Sequence, residues 1–489
     1  MSVGGDNPNV ETGPWNPSWI AAFPAGVVVC REGQGTLTLH AGDVRFRLRS
    51  EPPLCDLLCR LEPLGLSVGD LVRAAQDLHV SNAVSCLFHH LANLLAEGFL
   101  SVAVRNGGEA VATLVAVTSG FRLPPRTKGT GKWVLSRFAS LRRGTEGMVA
   151  ESPRSSALVT LQSPQSLLCV QSFAVPQSEG SAAGAVPGVP LAATSALFDL
   201  LHAAELLTPI DDTDVSAEDS DPELFCWEPH ELLFHSRSRR VRFDEPYGAM
   251  FAVADRVSQP PAVKPAHGTV LPLPRPDLQA IERVDPSLTQ ALEQRQSIRE
   301  YGDVPPSVDQ LGEFLYRVAR IRERRVVELE TGNGPVAMEI TSRPYPAGGS
   351  LHELEIYPVI QQCRGLAPGL YRYEPASHGL ETISPSSAGT QALLQDAGQA
   401  AGVSVDEIQL AFVIAARFPR IAWKYSAFAY SLVLKHVGVL FQTMYLVATA
   451  MNLAPCALGA GNSDRFAKLL SDNPYAETSV GEFLLGSRA

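Results

Sequence analysis

Apolar and polar residues alternate along GVVVCREGQGTLTLHAGDVRFRLRS (residues 26–50), with Gly33, Gly35 and Gly42 as turn signals, so this stretch predicts a β-hairpin or meander. The period then lengthens. Ser67, with Asp70 three residues on, marks a helix start, and NAVSCLFHHLANLLAEG predicts a second helix over about 82–96 that stops at Gly98. In FLSVAVRNGGEAVATLVAV, Asn-Gly-Gly separates two alternating apolar runs, a strong hairpin signal. Helices followed by a hairpin make a winged-helix pattern. It recurs more weakly downstream: ALVTL and SLLCVQSF (157–173) read as strands around Ser163-Pro164-Gln165, and SALFDLLHAAELL (195–207) as a helix. We therefore expect a disordered N-terminus over 1–24, one winged-helix-like module over 25–134 and another over 135–245. Within the second, DDTDVSAEDSDPE (211–223) reads as a solvated acidic loop and 227–240 as a helix.

A proline-crowded stretch then predicts a linker over 246–289. Beyond it, residues 290–489 change character. A helix ends near Arg295, and Ser307 with Gln310 forms a capping box ahead of Val308, Leu311, Leu315 and Val318 on one face. LHELEIYPVI, GLYRYE, IQLAFVIAAR and EFLLGSR read as strands, and HVGVLFQTMYLVATAM as a long apolar helix. Helices and strands mix without a βαβ rhythm, which predicts an α+β domain.

Composition narrows the function. A net charge of −11 disfavours general nucleic-acid binding, and the candidate recognition helices (82–96 and 195–207) carry no Lys or Arg. Eight dispersed cysteines without a C-x-x-C read as free, buried thiols. The first residues have neither a basic nor an apolar signal region. Leu432 to Met451, interrupted by Lys435, His436 and Gln442, reads as a buried helix rather than a membrane span. A cytoplasmic protein without membrane or nucleic-acid partners is expected.

Four features of the last domain carry chemistry. Arg295-Gln-Ser-Ile-Arg299 puts two guanidiniums and a hydroxyl within five residues, suited to a phosphate or a flat anion. In Arg343-Pro-Tyr-Pro-Ala-Gly-Gly349, prolines fix the path and glycines allow close backbone approach. Pro455-Cys-Ala-Leu-Gly-Ala-Gly461 reads as a small-residue loop that can lie against a planar ring. In Trp423-Lys424-Tyr425 an ammonium beside a phenol is expected to favour phenolate and lower the Tyr pKa from about 10. Rossmann, P-loop, H-E-x-x-H and G-x-S-x-G patterns are missing from any convincing context, which argues against a dinucleotide-binding dehydrogenase and for no metal.

With these features in this order, residues 290–489 resemble the FMN-dependent nitroreductase fold, and within it the SagB-type branch that holds azoline dehydrogenases and cyanobactin oxidases. RQSIREYG, SRPYPAGGSLHELEIYP, GLAPGLYRYEP, WKYSAFAY, HVGVLFQTMYLVATAMNLAPCALGAG and FLLGSR carry the likeness. RFASLRRGTEGMVAESP and WEPHELLFHSRSR carry a looser one to cyanobactin-oxidase-like members, whose N-terminal halves resemble tandem winged-helix peptide-binding modules. The resemblance implies FMN as cofactor. It assigns Arg295, Ser297 and Arg299 to the phosphate and pyrimidine edge. Pro346, Ala347 and Gly348 become the loop on the flavin, and Gln442 a helix residue facing it. Leu458 and Gly459 fall in the loop near flavin N5, Arg488 at the phosphate, and Lys424 and Tyr425 in the catalytic pair. Ala347 departs from the Ser of many relatives, and Ala460-Gly461-Asn462 from a Gly-Phe-Asp-like run.

The expected activity is FMN-dependent oxidation of peptide thiazolines or oxazolines to thiazoles or oxazoles in ribosomal peptide biosynthesis, with Tyr425 as base. A homodimer, an azoline-containing precursor peptide, a cyclodehydratase partner and O₂ as electron acceptor go with it. Two alternatives stand beside it: an NAD(P)H-dependent nitro- or quinone-reductase-like flavoenzyme, and a non-enzymatic peptide-binding winged-helix protein.

Overall fold

A computed structural model describes residues 12–126, 131–184, 186–332, 334–470 and 473–489. The chain divides after Glu245 into two compact units.

The first unit runs β1 (Ile20–Ala22), β2 (Val27–Arg31), β3 (Thr36–Ala41), β4 (Val44–Arg49), α1 (Pro52–Cys59), β5 (Leu66–Ser67), α2 (Val68–Gln76), α3 (Ala83–Ala96), β6 (Ser101–Asn106) and β7 (Glu109–Ala116). It continues with β8 (Lys132–Leu135), β9 (Ser140–Arg143), β10 (Met148–Glu151), β11 (Ala157–Leu161), α4 (Pro164–Ser172), β12 (Gln177–Ser178), α5 (Glu179–Gly184), α6 (Leu191–Ala203), β13 (Leu207–Ile210), α7 (Ala217–Ser220), α8 (Pro222–Phe225) and α9 (Pro229–Arg239). The β2–β3–β4 meander, the Ser67 cap on α2 and the β6–β7 hairpin all form as expected. An internal repeat is visible in the pairing. β1 lies between β5 and β6, and β8 lies between β12 and β13, so each first strand is flanked by the strand before its second helix and the strand after its third.

Two separate modules are not what forms. β7 pairs with β11, so one seven-stranded sheet of order β5-β1-β6-β7-β11-β10-β9 crosses the expected 134/135 boundary. One core runs from Trp15 to Leu207. Residues 1–11 of the expected disordered N-terminus lie outside the described residues, whereas Trp15 and Trp19 are almost fully buried. The Trp19 indole donates to the Ala196 carbonyl (2.9 Å), and Asn16 Nδ2 to Asp199 Oδ2 (2.7 Å). Burying two large rings fixes a segment whose Pro and Asn content reads as loop. SLLCVQSF is helical: Ser163 is an N-cap and Pro164 sits in the first turn, the position where a missing N–H costs nothing. The acidic stretch is not wholly solvated, because buried Glu218 accepts from Ser136 Oγ, the Arg137 amide and Arg154.

The second unit holds β14 (Val270–Pro272), α10 (Leu278–Val284), α11 (Leu288–Gln294), α12 (Val308–Ala319), β15 (Glu323–Thr331), β16 (Gly334–Ser342), β17 (Leu354–Ile360), β18 (Gly369–Glu374), β19 (Gly379–Pro385), α13 (Ala388–Ala401), β20 (Leu410–Arg417), α14 (Phe418–Ala422), α15 (Ala429–Ala450), β21 (Leu453–Leu458), α16 (Ser463–Leu470) and β22 (Glu477–Ser487). Its sheet, β14-β19-β18-β17-β20-β22-β21, is antiparallel throughout and has a core on each face. One core takes α12 and α15, the other α13 and α16. Sandwiched this way, every residue of β17, β18 and β20 is buried. This is an α+β architecture. α15 is long and apolar enough to cross a membrane by length and composition, yet Val433, Leu440, Met444 and Ala448 are buried in the core.

The expected linker is instead a strap on this unit. Arg420 donates to Pro260 O (2.6 Å), Arg417 to Pro261 O (2.8 Å), Arg372 to Lys264 O and Pro265 O (both 3.2 Å), and the Trp423 indole to Val257 O (2.8 Å). β14 then joins the sheet edge beside β19. Prolines remove N–H donors but leave carbonyls, so a proline-rich ribbon can satisfy buried guanidiniums.

Candidate active site

Two groups of residues gather at α15, one at His436 and one at Tyr445, about 13 Å apart along the helix axis at roughly 1.5 Å per residue.

At the first, the turn after α14 presents Lys424 and Tyr425, both half-buried. The Tyr425 amide donates to Ile421 O (3.0 Å), and the preceding Trp423 is pinned by its indole bond to the strap, so the pair is held by rigid neighbours. Lys424 Nζ lies 5.4 Å from the Tyr425 ring centroid and 5.7 Å from that of Phe251. The Pro346–Gly349 loop reaches the same place. Gly349 has φ 60°, and a Cβ on it would stand 2.8 Å from Lys424 Nζ and 2.9 Å from Tyr425 Oη. The Gly348 amide donates to His436 Nε2 (2.7 Å), and His436 Nδ1 meets Glu353 Oε1 (2.7 Å). His436 and Glu353 are both buried. Thus the second and fourth sequence features meet.

The electrostatics reverse one expectation. Burial, together with the Glu353 charge, pushes the Tyr425 phenol above its ordinary value, and burial holds the Lys424 ammonium below the usual lysine range. The Lys424 charge does not make Tyr425 a phenolate here: at their mean depth, desolvation outweighs the attraction between neighbours.

At the second group, Arg295 caps α11 with its guanidinium 5.3 Å from the Tyr445 ring centroid. Ser297 Oγ and Tyr445 Oη are 2.7 Å apart, and Tyr445 Oη accepts from the Ala457 amide (2.8 Å). The Ile298 amide donates to Pro455 O (2.9 Å), Tyr301 bridges Arg488, and the Arg299 charge reaches the Cys456 thiol. The first and third features and the C-terminal Arg488 therefore share one corner, where Ser297, Arg299 and Arg488 are exposed. Pro455–Leu458 is not a loop but most of β21, with the Leu458 side chain in the core, and the loop starts at Gly459. Beside Gly459 nothing stands within 4 Å of a would-be Cβ. Gln442 is exposed on α15, one turn before Tyr445.

Sequence reading missed Glu353, His436 and Tyr445. A carboxylate inside the apolar LHELEIYPVI and a histidine inside an apolar helix were the available signals.

Residues 292–483 match the nitroreductase family. The second unit is a nitroreductase-fold domain. In the first unit, residues 133–244 match the family described as cyanobactin oxidase ThcOx. A curated protein of Methanocaldococcus jannaschii, MJ1384, named provisionally as a nitroreductase, is 24% identical over 208 residues, 42% of this chain and 93% of its own. Solved structures similar to this chain include a Ralstonia eutropha nitroreductase-type protein (22% identity, 46% of this chain and 94% of that one, TM-score 0.34). Another is a chain of the E. coli microcin synthetase McbBCD complex with truncated pro-MccB17 bound (19% identity, 55% and 95%, TM-score 0.33). Scores this low leave the family matches to carry the assignment. Together those matches make this an oxidoreductase of nitroreductase and cyanobactin-oxidase kinship, and proteins of the nitroreductase family generally bind flavin.

Proposed function

We propose that the chain binds FMN and oxidises thiazoline or oxazoline rings of a precursor peptide to thiazoles or oxazoles, as a homodimer. The observation that carries this reading is the convergence of Lys424 Nζ, Tyr425 Oη and the Gly349 backbone, in a chain whose other unit matches a cyanobactin oxidase.

The residues fit FMN. The exposed cations and hydroxyl at the Arg295–Arg299 and Arg488 corner suit a phosphate. Gly459, with nothing within 4 Å of an added Cβ, leaves backbone bare where a planar ring needs close approach. Arg295, Ser297, Arg299 and Arg488 would hold the phosphate end, and Pro346, Ala347, Gly348, Gln442, Leu458 and Gly459 would lie along the ring. FMN supplies the two-electron acceptor. Lys424, favoured as a free amine by burial, takes the ring Cα proton at Nζ, and Tyr425 stays protonated and donates from Oη to orient the azoline.

The precursor peptide, a cyclodehydratase partner and O₂ as terminal acceptor complete the reading. The first unit is proposed to bind peptide rather than DNA, since α3 and α6 present no Lys or Arg. The test is to incubate the purified, flavin-coloured protein with a thiazoline-containing peptide in air and read masses. Loss of two hydrogens per ring is expected. A flavin-loaded protein that leaves thiazolines intact but consumes NAD(P)H with a nitroarene or quinone would replace this reading with the reductase alternative.

A further inference from the structure

Gly348's amide can only donate, so His436 Nε2 must present a lone pair to it across their 2.7 Å contact. The proton of the neutral imidazole then sits on Nδ1 and is donated to Glu353 Oε1, also at 2.7 Å. Glu353 lies at zero exposure and His436 at 6%, so water does not compete for either bond.

The loop that these bonds reach is strained. Gly349, Ser350 and His352 have φ of 60°, 57° and 46°, left-handed values that non-glycine residues adopt only when their surroundings impose them. Its far end is anchored by Arg420 Nε to Leu351 O (2.6 Å) and by both nitrogens of His352, to Thr341 Oγ1 and Tyr345 O (3.1 Å each). Its near end, where Gly349 meets Lys424 and Tyr425, is tied to another element through Gly348 and His436.

We infer that Glu353 and His436 are a positioning pair: the carboxylate fixes the imidazole tautomer, and the imidazole fixes the Gly348–Gly349 backbone against Lys424 and Tyr425. The pair touches none of the reacting atoms; it acts through the loop, and the Glu353 charge acts on the Tyr425 phenol as well. This rests on the proposed role of Lys424 and Tyr425, and the test reads the two separately.

Gln at 436 can place an acceptor oxygen where Nε2 stands, whereas Asn reaches only the Nδ1 position. Hydrogen exchange by mass spectrometry on residues 347–351 of the protein as purified is the first measurement, and turnover of a thiazoline peptide the second. His436→Asn is expected to exchange at least tenfold faster in that peptide and to lose up to about 100-fold in kcat with little change in KM, the scale of a misplaced reacting group. His436→Gln should restore both to within a few-fold. Glu353→Gln, which keeps the shape but no longer fixes the tautomer, should give a smaller acceleration of exchange. Unchanged exchange in His436→Asn and Glu353→Gln overturns the inference, as does a folded His436→Gln that behaves like the Asn variant. A parent protein that does not oxidise thiazolines defeats the functional reading alone, because the exchange arm needs no turnover.

Discussion

The two ends of α15 are built differently. Around His436 the backbone is left-handed at several residues, the ionisable groups are buried, and both Lys424 and Tyr425 are moved from their ordinary protonation ranges. Around Tyr445 the cations are mostly exposed, and the tie is a plain chain of bonds from Ser297 through Tyr445 to the Ala457 amide. Strain and desolvation cost folding stability, and they are found at the end where proton transfer is proposed. An anion's phosphate needs only charge and a firm backbone. On the proposed function, the difference teaches that one helix separates holding a cofactor from handling a proton.

That separation can be broken from either side. The largest effect is expected at the His436 end: Lys424→Ala should keep FMN and lose about 10²–10⁴ in azoline oxidation, the usual cost of losing an acid–base group. Tyr425→Phe, which removes an orienting hydrogen bond, should keep FMN and lose up to about 100-fold. Steady-state kinetics on flavin-loaded variants measure it. A Tyr425→Phe protein at the parent's rate would make the pair structural. Next, Arg295→Ala should weaken FMN binding by roughly 10–100-fold, the range of one charge-assisted hydrogen bond, as read by flavin fluorescence titration. Saturating FMN should then recover kcat. If it does not, the two ends are not separable.

The pH profile sharpens the contrast. Because burial lowers the Lys424 pKa, its amine loses its proton below the ordinary lysine range, and the rate should rise with pH through a limb there. Tyr425, pushed upward, stays a phenol across that limb. A phenolate base would place the limb above the ordinary tyrosine range instead. Lys424→Ala should erase the limb, while Arg295→Ala should leave it in place.

What was legible in the sequence follows the same division. Local signals read correctly: the Ser67 and Ser307 caps, the Asn-Gly-Gly hairpin, and β17 and β20 as largely apolar strands, with Glu355 inside the first and Arg417 ending the second. Signals with two meanings misled. Ser163-Pro164 reads as a turn but is a helix cap followed by a first-turn proline, and the prolines of 260–276 read as a linker but supply carbonyls to buried arginines. In the site, each motif was visible as a local string. The residues that give them shape were not, because Glu353 and His436 are 83 positions apart. The direction of the Tyr425 shift was misjudged for the same reason: a dipeptide displays its charges and conceals its burial.

The smallest predicted effect is also the most local, and it compares two glycines. At Gly459 nothing lies within 4 Å of an added Cβ and φ is not left-handed, so Gly459→Ala should change stability by less than about 0.5 kcal/mol, as surface substitutions do. At Gly349 the added carbon would press on Lys424 Nζ and Tyr425 Oη, and φ is 60°. The left-handed backbone alone should cost about 1–2 kcal/mol. The contact adds less to stability, since both neighbours are ends of flexible side chains that can swing away. Swinging away is what should show in function: Gly349→Ala should lose turnover out of proportion to its stability change, whereas Gly459→Ala, which adds a methyl where the flavin ring is proposed to lie, should weaken FMN binding and keep its turnover once FMN is saturating. Thermal unfolding and kinetics on both variants measure this. Equal turnover losses would mean that the loop beside Gly459 handles the azoline as closely as the one beside Lys424, and the division between the ends of α15 would then have to be given up.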